Sequence, residues 1–305
     1  MSTTPSPVVA VVGATATGKS DLGVALALAL GGEVVNADAS QLYRGMDVGT
    51  AKLTPADRRG VPHHQLDVLD VREEASVAAY QAAARADLRA VRARGRVPVV
   101  VGGSGLYVRA LLDRLEIPPT DPRVRARWEA ELERVGPEAL HARLAAVDDV
   151  AARGIQPRNG RRIVRALEVV DLTGRPFSAT MPTREHVEPT VVLGLRAARG
   201  VLDDRIARRT EGMWRAGLLE EVRALVGQGL REGRTASRAV GYAQALRELD
   251  GELDREEAVA ETVLATRRLA RRQERWFGPD PRIHWLEHDA PDLVEQALAV
   301  VRGRG

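Results

Sequence analysis

A glycine-rich segment near the N-terminus has the residue types and spacing of a phosphate-binding loop, or P-loop. Two glycines separated by four residues are followed directly by lysine and serine, between an apolar run and a leucine- and alanine-rich run. In such a loop the backbone N–H groups surround phosphate oxygens, the lysine reaches a terminal phosphate and the serine can hold Mg²⁺. We therefore predict a phosphate-binding site formed by Gly13, Ala14, Thr15, Ala16, Thr17, Gly18, Lys19 and Ser20.

Asp38 is the acidic residue best placed to act beside this loop. It follows the apolar run 33–37, and ligands of open α/β sheets gather at the carboxyl ends of the strands. The later apolar run 97–101 leads instead into the glycine-rich turn 102–105, without the aspartate that P-loop NTPases usually supply to magnesium. Asp38 therefore either binds metal or performs acid–base chemistry, and the glycine-rich turn on its own could simply connect a strand to a helix.

Two further patterns bear on binding. Arg267, Arg271 and Arg275 lie four residues apart and share one face of a helix, where either an RNA backbone or glutamates from elsewhere in the fold would neutralise them. The adjacent His63 and His64 would point to opposite faces of a strand and lack further metal ligands, so we assign them no chemistry.

The elements that must position these residues alternate between strands and helices, which predicts a parallel α/β sheet. The alternation stops at Pro118 and resumes at about Thr190, which indicates a helical insertion. The tryptophans are expected in the core. Strands are predicted over 8–12, 33–37, 97–101, 190–195 and 283–286, with helices over 20–30 and 76–94. The predicted fold is a P-loop NTPase-like core in residues 1–116, a helical insertion in 117–186, and core continuation with C-terminal helices in 187–305.

Composition sets limits on the chemistry. The chain has 305 residues, 44% of them hydrophobic and 29% charged, with a net charge of +3. The absence of cysteine excludes disulfides, thiolate metal sites and a sulfur nucleophile. Residues 1–7 lack the pattern of a secretion signal, and no apolar run is long enough for a membrane helix, so we expect a cytoplasmic protein with no membrane partner. We also expect a monomer.

Six spaced motifs together resemble the tRNA dimethylallyltransferase family, the isopentenyl-modifying enzymes of tRNA. They lie at residues 38–52, 61–67, 102–107, 165–168, 240–242 and 266–273, and the similarity covers nearly the whole chain. The resemblance implies transfer of a dimethylallyl group from dimethylallyl diphosphate to the N6 amine of the adenosine 3′ to the anticodon, with Mg²⁺ as cofactor. The P-loop would then bind the leaving diphosphate instead of ATP.

The resemblance also implies roles for individual residues. Asp38 would accept a proton from the amine, Arg209 would contact the diphosphate, and Ser104, where the family carries threonine, would contact the metal or the diphosphate; Ser20 would be the other metal contact. The sequence departs from the family at 156–159. Contacts to a tRNA lying between core and insertion are implied for Asp38, Ala39, Ser40, Gln41, Ser104, Arg125, Arg161, Arg162, Arg165, Gly241, Tyr242, Arg267 and Arg271.

Two other functions remain open at this point. An adenylate isopentenyltransferase would use the same chemistry on a free nucleotide and would not need the basic helical insertion. An RNA-dependent P-loop ATPase would turn over ATP in response to RNA. Labelled dimethylallyl diphosphate incubated with tRNA distinguishes these functions.

Overall fold

A computed structural model describes residues 6–180 and 184–303. The chain divides into two compact units, a core of residues 1–112 and 188–305 and an insertion of residues 113–187. Residues 181–183 of the predicted insertion, and residues 1–5 of the N-terminal segment, lie outside the described residues.

Strands and helices of the core precede and follow those of the insertion. The first part of the core contains β1 (Val8–Gly13), α1 (Lys19–Leu30), β2 (Gly32–Asn36), β3 (His63–His64), α2 (Val77–Ala93), β4 (Val97–Val101) and α3 (Gly105–Leu112). The insertion contains α4 (Pro122–Val135), α5 (Pro137–Val147), α6 (Asp149–Gly154) and α7 (Gly160–Thr173). The second part of the core contains β5 (Thr190–Arg196), α8 (Arg199–Arg215), α9 (Leu218–Gly227), α10 (Tyr242–Leu249), α11 (Arg255–Phe277), β6 (Ile283–Glu287) and α12 (Leu293–Val301).

The described strands form one parallel sheet in the order β3-β2-β4-β1-β5-β6. Every residue of β1 is buried, as expected for a valine-rich strand covered by helices on both faces. One apolar cluster joins the sheet to α2 and α3, and a second joins its other face to α1 and α12. The predicted strands and helices of the core are confirmed to within one residue at each end.

Two glycines allow the loops at the carboxyl edge of the sheet to approach each other. A Cβ added at Gly13, where φ is +137°, would lie 2.5 Å from the carbonyl oxygen of Leu195. A Cβ at Gly102 would lie 2.2 Å from the carbonyl oxygen of Ala37. Since real Cβ atoms do not come so close to backbone, a side chain at either position would push apart the strand ends that carry the site.

A third cluster of the core packs α8, α9 and α10 against the segment after β2. Tyr43, Met46, Leu218 and Tyr242 are all buried in it. This packing holds the segment between β2 and β3, which is otherwise mostly irregular, in one conformation.

The insertion has an apolar core of its own, formed by α5, α6 and α7 with partly buried residues of α4. Side chains cap three of its described helices: Asp121 accepts from the first turn of α4, Asp148 from the N–H of Ala151 in α6, and Asn159 from the N–H of Arg162 at the start of α7. Asn159 lies where the sequence departs from the family, and the structure gives it this capping role.

The expected placement of the tryptophans in the core is wrong for Trp276. This side chain is 40% exposed, packs against the turn at Gly105, and has the Arg109 guanidinium 5.0 Å from its ring centre. Trp214, at 5% exposure, is buried as expected. No helix within the described ranges is both long and apolar enough to span a bilayer.

Candidate active site

A cavity of about 530 Å³ opens at the carboxyl edge of the sheet. Its wall combines the loop after β1, the ends of β2 and β4, the segment 50–53 and one side of α8. The sequence-predicted residues in the wall are Thr15, Ala16, Gly18, Lys19, Ser20, Asp38, Gln41 and Arg209. Charged groups predicted from distant parts of the sequence therefore share one cavity.

The loop from Gly13 to Gly18 leaves the start of α1 open for an anion. Gly18 occupies the N-cap position in a left-handed conformation, and no side chain caps the helix. The first amides of a helix lack partners within the helix and carry its positive dipole, so they attract phosphate. The loop is fixed from within, since Thr17 Oγ1 and Lys19 Nζ both donate to the carbonyl of Ala14, at 2.8 and 2.6 Å.

The buried environment of Lys19 disfavours its positive charge unless an anion is bound nearby. Burial lowers the pKa of Lys19 to about 8. The nearby Asp38 carboxylate raises this pKa, and the Arg209 guanidinium lowers it further. A negatively charged ligand would reverse the balance and favour the protonated amine. The electrostatics of this lysine therefore fit an anion-binding role.

Arg209 supplies a second cation to the same cavity. Its Nη2 donates to Thr15 Oγ1 at 2.6 Å, whereas its buried Nε has no hydrogen-bond partner in the described part of the chain. Burial also lowers the pKa of this guanidinium. An unpaired buried donor is expensive, and an anion in the cavity would satisfy it.

Two neighbouring arginines were not singled out from the sequence. Arg205 and Arg208 also line the cavity, and Arg205 Nε donates to the carbonyl of Ala16 at 2.7 Å. Arg205 precedes Arg208 by three residues and Arg209 by four, and this spacing was the available signal, because residues three and four apart share a helix face.

Asp38 is fixed by backbone contacts that leave part of its carboxylate available. Its Oδ1 accepts from the N–H of Ser40 at 3.0 Å, and its own N–H donates to Asn36 Oδ1 at 3.0 Å. Its Oδ2 has no hydrogen-bond partner among the residues described. This oxygen is therefore available to accept a proton or to bind a metal.

Ser104 directly follows Gly103, a residue of the cavity wall. Its hydroxyl accepts from the N–H of Ala39 at 3.1 Å, and Ser104 is absent from the described lining, whereas Gly102 and Gly103 are in it. The contact of Ser104 with metal or diphosphate stays a prediction. The structure favours a role in holding the segment that carries Asp38.

Gln41 belongs to the cavity wall, and a buried lysine stabilises the loop beside it. Gln41 Nε2 donates to the carbonyl of Thr50 at 3.1 Å. Lys52 Nζ donates to the carboxylates of Asp47 and Asp67 at 2.6 and 2.5 Å, and its side chain is 2% exposed. The second lysine of the chain thus has a structural role.

Gly241 and Tyr242, predicted to contact RNA, are both buried. Tyr242 is 0% exposed and lies in the apolar cluster with Leu218, so direct contact with RNA is excluded in this conformation. Gly241 has a φ of +92° and its N–H donates to the side chain of Gln244 at 2.9 Å. The prediction of RNA contact is therefore wrong for these two residues in this conformation.

The arginine stripe on α11 divides into one paired and two unpaired residues. Arg267 donates to the Asp203 carbonyl at 3.3 Å and lies 3.7 Å from the Asp203 carboxylate. Arg271 and Arg275 are exposed, and their guanidiniums have no ion pair within residues 6–180 and 184–303. Asp203 therefore neutralises the charge of Arg267 from within the fold, whereas Arg271 and Arg275 are available to bind an anion.

The arginines of the insertion divide in the same way. Arg125 and Arg165 both bind the fully buried carboxylate of Glu168, at 2.8 and 3.0 Å. Arg161 and Arg162, at the start of α7, are exposed, and their side chains have no partner in the described part of the insertion. The first pair stabilises the insertion, and the second pair is the better candidate for RNA phosphate.

Metal binding would depend on few protein ligands. Within the described residues there is no group of three or more histidines, cysteines, aspartates and glutamates suited to a metal. Ser20 and Asp38 line the same cavity. Mg²⁺ commonly takes one or two protein oxygens together with substrate phosphates and water, so this donor set fits it. His63 also lines the cavity. Its Nδ1 lies 2.8 Å from the Val61 carbonyl oxygen, and we assign this histidine no metal role.

Comparisons with a family model, with protein sequences and with solved structures all point to prenyl-transferring enzymes. The family model described as IPP transferase matches residues 41–280. A tRNA dimethylallyltransferase of Thermobifida fusca is 64% identical over 301 residues, covering 97% of this chain and 94% of the relative. A solved tRNA isopentenylpyrophosphate transferase of Bacillus halodurans has a TM-score of 0.70 at 38% identity, covering 98% of this chain and 95% of that one. A eukaryotic dimethylallyltransferase, described in crystallographic snapshots as acting on tRNA, has a TM-score of 0.82 at 25% identity. The match covers 96% of this chain and 78% of that one.

Proposed function

This chain belongs to the tRNA dimethylallyltransferase family, and from that premise we propose that it transfers a dimethylallyl group from dimethylallyl diphosphate to the N6 amine of the adenosine 3′ to a tRNA anticodon. The observation that carries the proposal is one cavity that holds Lys19, the unpaired Nε of Arg209 and the available carboxylate oxygen of Asp38. Cations for a leaving anion and a base for an amine are the two groups this reaction needs.

The cationic side of the cavity would stabilise the leaving group. When the bond between the allylic carbon and the diphosphate oxygen breaks, negative charge develops on the diphosphate. Lys19, Arg209 and the first amides of α1 are in place before the reaction, and preorganised donors of this kind stabilise developing charge effectively. Mg²⁺ held by Ser20, with Asp38 as an alternative ligand, would neutralise further charge on the phosphate oxygens.

The carboxylate side would receive the proton. The N6 nitrogen forms a bond to the allylic carbon, the carbon–oxygen bond to diphosphate breaks, and the amine gives one proton to Oδ2 of Asp38. Asn36 and Ser40 hold the backbone and the other oxygen of Asp38, so the base is oriented for this step. A positioned general base contributes about 100-fold to 10,000-fold.

The acceptor would be an unpaired base that leaves its stack. Proteins that recognise RNA by sequence usually bind loop bases that can be splayed out, and extrusion costs about a few kcal/mol. Exposed arginines without an internal partner could offset this cost through phosphate contacts. The described candidates are Arg161, Arg162, Arg271 and Arg275. A tRNA substrate also leads us to propose that the enzyme works in the cytoplasm.

The decisive experiment compares acceptors for the same labelled donor. The protein is incubated with labelled dimethylallyl diphosphate, magnesium and either an anticodon stem-loop or AMP, and the label in nucleosides is measured. We expect far higher catalytic efficiency on the stem-loop. Equal efficiency on AMP would favour an adenylate isopentenyltransferase, and RNA-stimulated ATP hydrolysis without transfer would favour an RNA-dependent ATPase. A stem-loop with guanosine at the target position controls for labelling at other bases.

A further inference from the structure

Gln273 joins two loops that are far apart in the sequence. It lies on α11 and is 7% exposed. Its Oε1 accepts from the N–H of Thr15 at 2.8 Å, and its Nε2 donates to the carbonyl of Gly103 at 2.9 Å. Both ends of one buried side-chain amide are therefore used to connect the P-loop to the turn after β4.

The contact leaves little room for rearrangement. A Cβ added at Gly103 would lie 2.4 Å from Nε2 of Gln273, so the turn approaches the amide as closely as a residue without a side chain allows. Three residues further along α11, the ring of Trp276 packs against Gly105 with the same close fit. The helix therefore holds the turn at two successive points.

Two hydrogen bonds extend this connection to the charged groups of the cavity. On one side, the hydroxyl of Thr15 accepts from Arg209 at 2.6 Å. On the other side, Ser104 follows Gly103 and accepts from the N–H of Ala39, the neighbour of Asp38, at 3.1 Å. Gln273 is thus the link between the segment that holds the cations and the segment that holds the carboxylate.

We propose that Gln273 is a positioning residue that fixes the P-loop relative to the turn 102–104, and thereby aligns the leaving diphosphate with Asp38. The inference rests on the proposed transfer reaction. Donor binding depends on Lys19 and Arg209, which Gln273 does not replace, whereas the chemical step depends on alignment. A misplacement of about 1 Å can cost about 100-fold in rate.

Gln273→Met tests this role, because methionine has a similar length and fills the same space without either hydrogen bond. Gln296→Met on α12 is the matched control, because the amide of Gln296 donates to Asp292 and neither residue lines the cavity. We expect Gln273→Met to change pyrophosphate affinity by less than about 3-fold but to lower the single-turnover transfer rate by about 30-fold to 100-fold. The control should match the wild type in both measurements.

Three results would overturn the inference. One is an unchanged single-turnover rate, and another is a rate loss matched by an equal loss of pyrophosphate affinity, which would make Gln273 a donor-binding residue. The third comes from amide hydrogen exchange, a readout independent of activity. We expect faster exchange at residues 9–20 and 100–107 in Gln273→Met, and unchanged exchange in both segments would show that Gln273 does not fix the two loops. If wild-type protein transfers no label, the proposed function fails, and the exchange result alone decides the link made by Gln273.

Discussion

The hydroxyl of Tyr242 donates a hydrogen bond of 2.5 Å to the carboxylate of Glu221. The same carboxylate accepts from the backbone N–H groups of residues 47–49, at 2.8 to 3.4 Å. Burial, with an added effect of the Glu221 charge, raises the pKa of Tyr242 well above its ordinary value, so the hydroxyl stays protonated. Tyr242 therefore acts on the cavity indirectly, through the loop whose next residues, Thr50 and Ala51, line it.

Replacement of Tyr242 by phenylalanine should reduce stability without removing an RNA contact. The variant loses one hydrogen bond to a charged group, which corresponds to about 1.5–3 kcal/mol of unfolding free energy. Urea denaturation measures this loss, and the salt dependence of stem-loop binding should match the wild type. A flatter salt dependence at unchanged stability would contradict the buried position of Tyr242 and restore its predicted RNA contact.

Lys19→Ala should abolish most transfer activity. The substitution removes charge that faces the developing diphosphate, and one preorganised contact of this kind contributes about 2.7–4 kcal/mol to the transition state. Steady-state kinetics at saturating donor and stem-loop measure the effect. Circular dichroism should confirm a folded variant, since the hydrogen bond of the amine within the described residues is to the carbonyl of Ala14. Near-normal turnover would refute the assignment of the P-loop to diphosphate.

Pyrophosphate affinity should decrease as the pH rises above about 8, the pKa to which burial lowers Lys19 in the free protein. The protonated amine binds the anion, so affinity is at its plateau below this pKa and is lost above it, by up to about tenfold per pH unit. The ratio of wild-type to Lys19→Met affinity isolates this effect, because the titration of pyrophosphate itself is common to both proteins. A ratio that stays constant from pH 7 to 10 would show that Lys19 does not titrate in this range.

Asp38→Asn should lower the single-turnover rate by about 100-fold to 10,000-fold, with a much smaller effect on donor affinity. Asparagine keeps the shape of the side chain, and its Oδ1 can still accept from the N–H of Ser40, but it cannot accept the proton of the amine. Rapid-quench measurement at saturating donor gives the rate. An unchanged rate would leave Asp38 with a structural or metal-binding role only.

Arg271→Ala should flatten the salt dependence of stem-loop binding by one phosphate contact. Each contact contributes about −0.7 to the slope of log affinity against log salt in single strands and about −0.9 in duplex. Arg267→Ala is the matched comparison on the same helix, and we expect its slope to change less because Asp203 already pairs with this guanidinium. Equal slopes for wild type and Arg271→Ala would show that Arg271 does not contact phosphate.

The main sheet and the phosphate-binding loop could be predicted from local sequence patterns. Buried parallel strands require apolar runs such as 8–12 and 97–101, and both formed where the pattern predicted them. The spacing of Gly13, Gly18 and Lys19 likewise specifies the loop, because its geometry depends on residues adjacent in the chain. The position of Asp38 after the run 33–37 also predicted its place at the site, and the resemblance to the family added Gln41 and Arg209; all three line the cavity.

The tertiary structure decided which of the polar side chains are available. Arg165 and Arg161 look equivalent in sequence, yet Arg165 binds the buried Glu168 and Arg161 is exposed without a described partner. Motif membership likewise did not reveal that Tyr242 is buried, or that Gln273 spans two loops. Glu221, the partner of Tyr242, lies 21 residues away in the sequence, and Thr15, a partner of Gln273, lies 258 residues away. Local spacing determines which residues a helix or loop presents, whereas pairing across such separations depends on how the helices pack around the sheet.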